Sequence, residues 1–438
     1  MDPVTRLPRG RHRGVVHSGH GSHSGLRQRR NTRTLYLSTH VHAHRASTKQ
    51  EGTAPSVSGC SSVRVIIERE YVNNIKRKKR IGILTGGGDA PGLNAVIRAV
   101  VHTAMKDFNV EVLGLRNGFD GLVEPEDVLI LSHTEVRGIL SHGGTILGAA
   151  NRGNPFSRKT IINDKEVVSD MSEQALDNID RLKLDSIIVV GGDGTLSISK
   201  ALYDKGAPIV GVPKTIDNDM GGTDVTFGFD TAMRTAAEAL DKLHTTAESH
   251  SRAMILELMG RNAGWIALGA GIASGADSIL IPEIPFDLTP VINRFEERAA
   301  NGSNFNIMSV AEGCHPKGGK QQYKDDAGLY SGRLGGIGQT IANELRVDSG
   351  IDSRCTVLGH LQRGGSPTPY DRWLATLYGA GATRLAMSGS YGMMVNLRGR
   401  EIGSISLKEA VAQTPKLVNP DGDLITAARG LGIVFGDE

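Results

Sequence analysis

Residues 80–438 alternate short apolar runs with glycine-containing turns and amphipathic segments. The runs are rich in branched aliphatic residues, as buried strands are; they lie at 81–85, 186–190, 208–212, 253–258, 306–311 and 355–359. Helical periodicity follows several turns, as at 195–204 and 372–387. This alternation predicts an α/β fold of two doubly wound, mostly parallel sheets. Ligands bind such sheets at the carboxyl ends of the strands, where we expect every polar cluster below to lie.

Residues 1–72 have a different composition, and we interpret them as a disordered basic extension. Residues 1–60 hold seven of the 14 histidines and little apolar periodicity, so they could not bury enough surface to offset the entropy of ordering. An Arg- and Ser-rich, acid-poor stretch also resembles a transit peptide, although it lacks a clear amphipathic helix. We favour an upstream extension, with the native start near Val72.

Net charge and cysteine content narrow the function classes. Residues 1–80 contain 17 Lys and Arg against 4 Asp and Glu, so residues 81–438 carry a net charge of −10 although the whole chain has +3. The basic pI is therefore no argument for a nucleic-acid partner. No apolar run is long enough to span a membrane. Three widely spaced cysteines indicate a reducing, cytoplasmic compartment.

Two glycine-rich turns follow predicted strands, at LTGGGDAPGLN (84–94) and VVGGDGT (189–195). Glycine lets main-chain N–H groups approach a phosphate, and a helix N-terminus favours the anion. Asp193 is a candidate Mg²⁺ ligand, and Thr195 a candidate helix cap. A purely structural pair of turns, with Asp193 as a cap, is the competing interpretation.

The stretch GVPKTIDNDMG (211–221) follows another apolar run and combines a lysine with two aspartates. If the backbone is extended there, Asp217 and Asp219 lie on the same side, one as a general base and the other as its support or a metal ligand. Ordinary turn chemistry is the alternative. Arginines beside apolar strands suit phosphate recognition; they are Arg252, Arg261, Arg354 and Arg363.

In this order, the motifs resemble those of the phosphofructokinase family from about residue 80 to 400. The shared elements are LTGGGDAPGLN, GGTILG, GGDGT, PKTIDND, FGFDTA, ELMGRNAGW, AEGCHP and TVLGHLQRGGSPTPYDR. The resemblance implies phosphoryl transfer to the 1-hydroxyl of fructose 6-phosphate. It also implies a phosphoryl-donor domain (80–228 plus about 362–410) and a sugar-phosphate domain (229–361 plus about 411–438).

The resemblance also assigns roles to individual residues. Asp217 would be the base, with Asp219 assisting beside the metal; Thr215 would touch the transferring group, and Arg261 would stabilise transition-state charge. Residues implied to hold ATP and Mg²⁺ are Gly88, Arg152, Gly192, Asp193, Gly194 and Thr195. Residues implied to line the sugar site are Met259, Gly260, Glu312 and His360, and those implied to hold the 6-phosphate are Arg252, Arg354 and Arg363. Arg252 and Arg354 would reach it from a neighbouring subunit, which implies a homodimer or homotetramer.

The phosphoryl donor is ambiguous between ATP and pyrophosphate. Pyrophosphate-dependent members resemble this chain at Lys214 but carry Asp where Gly194 stands, and an Asp there would collide with the α-phosphate of a nucleotide. We therefore expect ATP, with a pyrophosphate-dependent enzyme as the alternative and a catalytically weak sugar-phosphate sensor as a more distant one. A lipid or NAD kinase would explain GGDGT but not PKTIDND.

Effector control is expected to be weak or absent. The family's effector phosphates are held by several arginines, and the corresponding positions here are Arg98, His102, His142 and His244. Neutral histidine is a poor replacement for a permanent cation. Arg152 lies one residue further along than in the best-known bacterial members, which leaves its role open.

Overall fold

The computed structural model describes residues 77–150, 153–162, 165–323 and 334–438, so the predicted extension 1–72 lies outside them. The strands are β1 (Arg80–Thr85), β2 (Glu111–Leu115), β3 (Val128–Leu131), β4 (Arg158–Ile162), β5 (Lys165–Ser169), β6 (Ser186–Gly191), β7 (Ile209–Pro213), β8 (Ala253–Leu258), β9 (Ser278–Leu280), β10 (Asn306–Ala311), β11 (Ser353–Val357), β12 (Met393–Arg398) and β13 (Glu401–Ser406).

Helices connect most of these strands. The α-helices are α1 (Leu93–Phe108), α2 (Asp120–Val123), α3 (Ser172–Arg181), α4 (Asp193–Asp204), α5 (Phe229–His250), α6 (Trp265–Ala273), α7 (Leu288–Ala300), α8 (Ile337–Ser349), α9 (Pro369–Met387), α10 (Leu407–Ala412) and α11 (Asp423–Gly430). Short 3₁₀ helices lie at Ile139–Ser141, Pro155–Ser157 and Gly359–Arg363. None of the helices in the described residues is long and apolar enough to cross a membrane.

The larger sheet has the strand order β13-β12-β7-β6-β1-β2-β3. Its central pairs are parallel, and only the outermost strands β3 and β13 run antiparallel to their neighbours. The second sheet, in the order β11-β8-β10-β9, is parallel throughout. Strands β4 and β5 form a separate antiparallel pair. These sheets confirm the predicted α/β class.

Both faces of the larger sheet are covered, as a doubly wound fold requires. Along β1, Ile81 and Ile83 join the core beneath α1 and α9, whereas Leu84 joins the core beneath α3 and α4. The smaller sheet shows the same alternation along β8, where Ile255 and Leu256 belong to different cores. Successive side chains of a strand point to opposite faces, so an unbroken apolar run is the sequence signature of a strand buried on both sides.

The two sheets take their strands from different parts of the chain. The larger sheet draws its strands from residues 80–213 and 393–406, and the smaller sheet from residues 253–357. The exact domain boundaries stay a prediction. The predicted strand at 355–359 is displaced: β11 covers Ser353–Val357, and a 3₁₀ helix begins at Gly359, where a positive φ of 55° ends the extended backbone.

Candidate active site

The two glycine turns lie side by side at the carboxyl ends of β1 and β6. The amide of Gly86 donates to the carbonyl of Val190 at 2.9 Å, which joins them directly. A Cβ atom at Gly86 would lie 2.7 Å from the buried side chain of Thr195, so this close approach requires glycine. Gly88, Gly192, Asp193 and Gly194 are among the residues lining the cavity of about 580 Å³ that opens over the turns.

Helix α4 begins two residues earlier than the sequence suggested. It starts at Asp193, and Gly192 occupies the N-cap position without a side-chain cap. Thr195 is buried inside the first turn, so its predicted role as the cap is wrong. The main-chain N–H groups of this turn and the exposed Asp193 carboxylate both face the cavity, a suitable arrangement for a phosphate with a bound cation.

The turn after β7 is folded by its own side chains. The amide of Asp217 donates to Thr215 Oγ1 at 3.1 Å, and the amide of Thr226 donates to Asn218 Oδ1 at 3.1 Å. Asn218 has a left-handed φ of 51°, which Asn tolerates better than most residues. The backbone is therefore not extended between Asp217 and Asp219, and the predicted reason for their proximity is wrong, although the two carboxylates do interact electrostatically.

Burial and neighbouring charges shift the pKa values of Asp217 and Lys214 in this turn. Burial raises the pKa of Asp217 to about 6, the Asp219 carboxylate adds to the rise, and Arg363 and Lys214 oppose it. Burial lowers the pKa of Lys214 to about 8, with Arg363 contributing. Asp217 Oδ1 is shielded from solvent and has no hydrogen-bond partner among the described residues. A carboxylate with a free oxygen and a pKa near neutrality is suited to general-base catalysis.

A second cavity, of about 510 Å³, adjoins the first. Gly88 and Arg363 line both cavities, and Met259 and His360 line the second one only. Arg363 is held in place because its guanidinium donates to the carbonyl of Asp89 at 3.1 Å. The two cavities thus meet at a fixed cation.

The remaining sugar-site candidates lie at the carboxyl ends of β8 and β10. The amide of Glu312 donates to the carbonyl of Leu258 at 2.8 Å, and the amide of Gly313 donates to that of Gly260 at 3.1 Å. These bonds bring the Met259–Arg261 segment beside Glu312. Arg261 is exposed, and its carbonyl accepts a bond from Gln321 at 2.9 Å.

Arg252 and Arg354 do not lie at carboxyl strand ends, so that expectation is wrong for them. Arg252 precedes β8, and Arg354 is the second residue of the parallel strand β11. Both guanidinium groups pair with Asp352, Arg252 at 2.6 Å. The two arginines therefore lie at the amino ends of the strands in the smaller sheet. Met259 and Glu312 lie at the opposite, carboxyl ends. Arg152 lies outside the described residues.

Two of the predicted effector positions, His102 and His244, already make side-chain contacts within the protein. The His102 ring contacts the His133 ring in a tilted arrangement with centroids 4.6 Å apart, and burial, Arg98 and His133 lower the pKa of His102. His244 Nε2 lies 2.7 Å from the carbonyl of Ser274.

The family model of phosphofructokinase matches residues 80–386. The chain belongs to this family. A curated relative from Chloroflexus aggregans, "ATP-dependent 6-phosphofructokinase", is 51% identical over 362 residues, which cover 83% of this chain and 99% of the relative. The "ATP-dependent 6-phosphofructokinase 1" of Synechocystis is 46% identical over 362 residues, covering 82% and 99%.

Solved structures of the family share the fold. Pichia pastoris phosphofructokinase in the T-state matches with a TM-score of 0.68 and 32% identity, covering 82% of this chain and 37% of that longer one. The pyrophosphate-dependent phosphofructokinase of Marinobacter aquaeolei has a TM-score of 0.65 at 22% identity, covering 79% and 87%.

Some residues around the site were not singled out in the sequence. Asp89 anchors Arg363, and the buried Gln362 accepts a bond from the Met259 amide at 3.3 Å. Gln362 could have been identified from the sequence, since it lies inside the motif TVLGHLQRGGSPTPYDR. The sequence around Lys416 contains no motif that points to a site role. Lys416 contacts a turn that lies nearly 200 residues earlier in the chain, and nothing in its own segment identifies that partner.

Proposed function

We propose that this protein is an ATP-dependent 6-phosphofructokinase that phosphorylates the 1-hydroxyl of fructose 6-phosphate in glycolysis. The observation that carries the proposal is the pair of adjoining cavities, which share Gly88 and Arg363, together with the nearby Asp217 carboxylate. One cavity has two glycine turns for a polyphosphate, and the other is lined by Met259 and His360 of the sugar-site residues. The names of the curated relatives support the same reaction.

Asp217 is the general base of this mechanism. Its free Oδ1 accepts the proton of the sugar 1-hydroxyl as that oxygen forms a bond to the γ-phosphorus of ATP. The bond from that phosphorus to the bridging oxygen breaks, and ADP leaves with the electron pair. A pKa of about 6 keeps Asp217 ionised at neutral pH while leaving it basic enough to take the proton.

Cations around the turn stabilise the charge that spreads over the transferring group. Lys214 lines the donor cavity beside Thr215, and Arg363 lines both cavities. Arg261 follows β8 on the sugar side, next to Met259 and Gly260, and we assign it the same role. Glu312 and His360 complete the sugar site.

The residues present fit a magnesium ion held jointly with the nucleotide. The Asp193 carboxylate lies near enough to Asp219 to help raise the pKa of Asp219, after the larger effect of burial. Mg²⁺ usually takes one or two carboxylates plus substrate phosphates, and the Asp193 carboxylate lines the donor cavity where those phosphates would lie. When bound, the ion would neutralise phosphate charge; Asp193 would hold it, with Asp219 beside it.

Gly194 supports ATP rather than pyrophosphate as the donor. A Cβ atom at Gly194 would meet nothing within 4 Å in the described part of the chain, and its backbone does not require glycine. Packing therefore gives no reason for glycine here, whereas room for a nucleotide does.

The 6-phosphate site is completed in a homo-oligomer, either a dimer or a tetramer. The exposed Arg354 and the partly buried Arg252 both pair with Asp352, at the sheet end away from Met259, so they suit a neighbour's sugar phosphate. Mixing Arg252→Ala subunits with Asp217→Asn subunits should restore activity that each lacks, because a hybrid contains native sites. Failure of the mixture to gain activity, after subunit exchange is verified, would contradict this arrangement.

We place the enzyme in the cytoplasm, without classical effector control. The lowered pKa of His102 disfavours a cation there, and the Nε2 of His244 is already used by the carbonyl of Ser274. Velocity against fructose 6-phosphate should change less than about twofold with ADP or phosphoenolpyruvate.

A steady-state assay with purified protein tests the proposed function. Fructose 1,6-bisphosphate should form with MgATP at a kcat/KM of at least ~10⁴ M⁻¹s⁻¹, within the usual range for enzymes. Activity with magnesium pyrophosphate alone would establish the alternative donor. Binding of fructose 6-phosphate without turnover on either donor would establish the sensor.

A further inference from the structure

Residues 414–418, here called the strap, cross the outside of the Asp217 turn. The amide of Gly221 donates to Thr414 Oγ1 at 2.9 Å, and the amide of Lys416 donates to the carbonyl of Asp219 at 2.6 Å. The strap thus holds the main chain that immediately follows Asp217. It comes after β13 and α10 in the chain, so it reaches the turn from a distant part of the sequence.

The Lys416 ammonium closes the far end of the same turn. It donates to the carbonyl of Asp224 at 2.7 Å, to that of Thr223 at 3.1 Å and, at a longer 3.4 Å, to Asn218 Oδ1. Lysine has three N–H donors and no acceptor, and three acceptors surround it here. The ammonium therefore ties the left-handed residue Asn218 to the residues that end the turn.

The other side of the strap is bound to the sugar-side loop. Trp265 Nε1 donates to the carbonyl of Lys416 at 2.9 Å, and the ammonium lies 5.6 Å from the centre of the indole ring. The carboxylate of Glu283 accepts from Val418 at 2.8 Å and from Gly264 at 3.1 Å. Gly264 and Trp265 end the loop that carries Arg261.

Lys416 therefore bridges the Asp217 turn, which follows a strand of the larger sheet, and the Arg261 loop, which follows a strand of the smaller sheet. Phosphoryl transfer depends on placing the base and the charge-stabilising cation to within about 0.5 Å. We propose that Lys416 is a positioning residue for phosphoryl transfer, fixing the turn of Asp217 relative to the loop of Arg261. This inference rests on the proposed function.

Lys416→Met is the direct test, because methionine keeps an apolar stem against Trp265 and removes the three donors. We expect kcat with MgATP to fall about tenfold or more, while the KM values for ATP and fructose 6-phosphate stay within about threefold. Lys416→Arg restores donors and should recover part of kcat. Lys408→Met is the matched control: Lys408 is exposed on α10, and its loss should leave both constants unchanged.

Three results would overturn the inference. They are an unchanged kcat in Lys416→Met, a kcat in Lys416→Arg no higher than that of Lys416→Met, and a rise in KM without loss of kcat. If Lys416→Met does not fold, Trp265→Phe decides: it removes one bond to the strap, and kcat should fall two- to fivefold. An unchanged kcat in that variant would also overturn the inference. A wild-type enzyme inactive in the same assay would instead refute the proposed function.

Discussion

The Lys214 ammonium donates a hydrogen bond to the main-chain carbonyl of Gly88, although the two residues are 126 positions apart. This bond joins the turn after β7 to the glycine turn after β1. It places a buried cation against the wall of the donor cavity, where its charge acts on Asp217. A lysine that looked in the sequence like a remnant of pyrophosphate use has a structural contact as well.

Removal of the Lys214 charge should change the pH dependence of the reaction. Lys214 opposes the raised pKa of Asp217, so Lys214→Met should raise that pKa above about 6. Because Asp217 must be ionised to accept a proton, the acid limb of kcat/KM should move to higher pH. Lys214→Arg keeps the charge and serves as the control; identical acid limbs in wild type and Lys214→Met would contradict the prediction.

The wild-type enzyme should show a bell-shaped profile of kcat/KM against pH. Activity should be lost as pH falls through about 6, where Asp217 gains a proton, and as pH rises through about 8, where Lys214 and Lys416 each lose one. Asp217→Asn should lower kcat by ~10²–10⁴, the usual contribution of a positioned base, and should abolish the acid limb. An acid limb that persists in this variant would assign it to another group.

Gly194 offers a matched pair of substitutions for the donor choice. Gly194→Ala adds only a neutral methyl group, which no described residue contacts, so it should cost far less activity with ATP than Gly194→Asp. Gly194→Asp adds a carboxylate, and electrostatic repulsion should lower kcat/KM for ATP far more than for pyrophosphate, by ~10²-fold or more if it costs ~3 kcal/mol at the transition state. Equal losses with both donors would remove the steric and charge argument.

The sequence predicted the α/β class and, among the described residues, six of the eleven strands in the two main sheets, because strands buried on both faces are continuous apolar runs. It did not identify β2, β9 or β12, nor the edge strands β3 and β13; β3 has only four residues, and β13 mixes polar and apolar residues. Asp217 and Asp219 were found by motif, but the left-handed Asn218 between them was not foreseen, since it depends on the bond from Thr226. Lys416 was missed because its partners are distant in the chain.

Glu257 should contribute strongly to stability without taking part in catalysis. Only 1% of this residue is exposed, and its carboxylate accepts from the amides of Gly336 at 3.0 Å and Gly338 at 2.9 Å. Glu257→Ala leaves buried amides unpaired and should lower the free energy of unfolding by about 2–4 kcal/mol, measured by urea denaturation. Glu111→Ala, which breaks an exposed pair with Arg80, should cost about 0–1 kcal/mol. Equal effects would contradict the assignment.

The position of the strap in the chain has a consequence for biosynthesis. The glycine turns, the Asp217 turn and the Arg261 loop all emerge from the ribosome before β12 takes its place beside β7. The strap emerges later still, and its contacts with Asp219 and Trp265 are among the most non-local at the site. Such contacts form slowly because long loops must close first. A nascent chain should therefore lack kinase activity, although its site residues are already present, until residues as late as Val418 have been made.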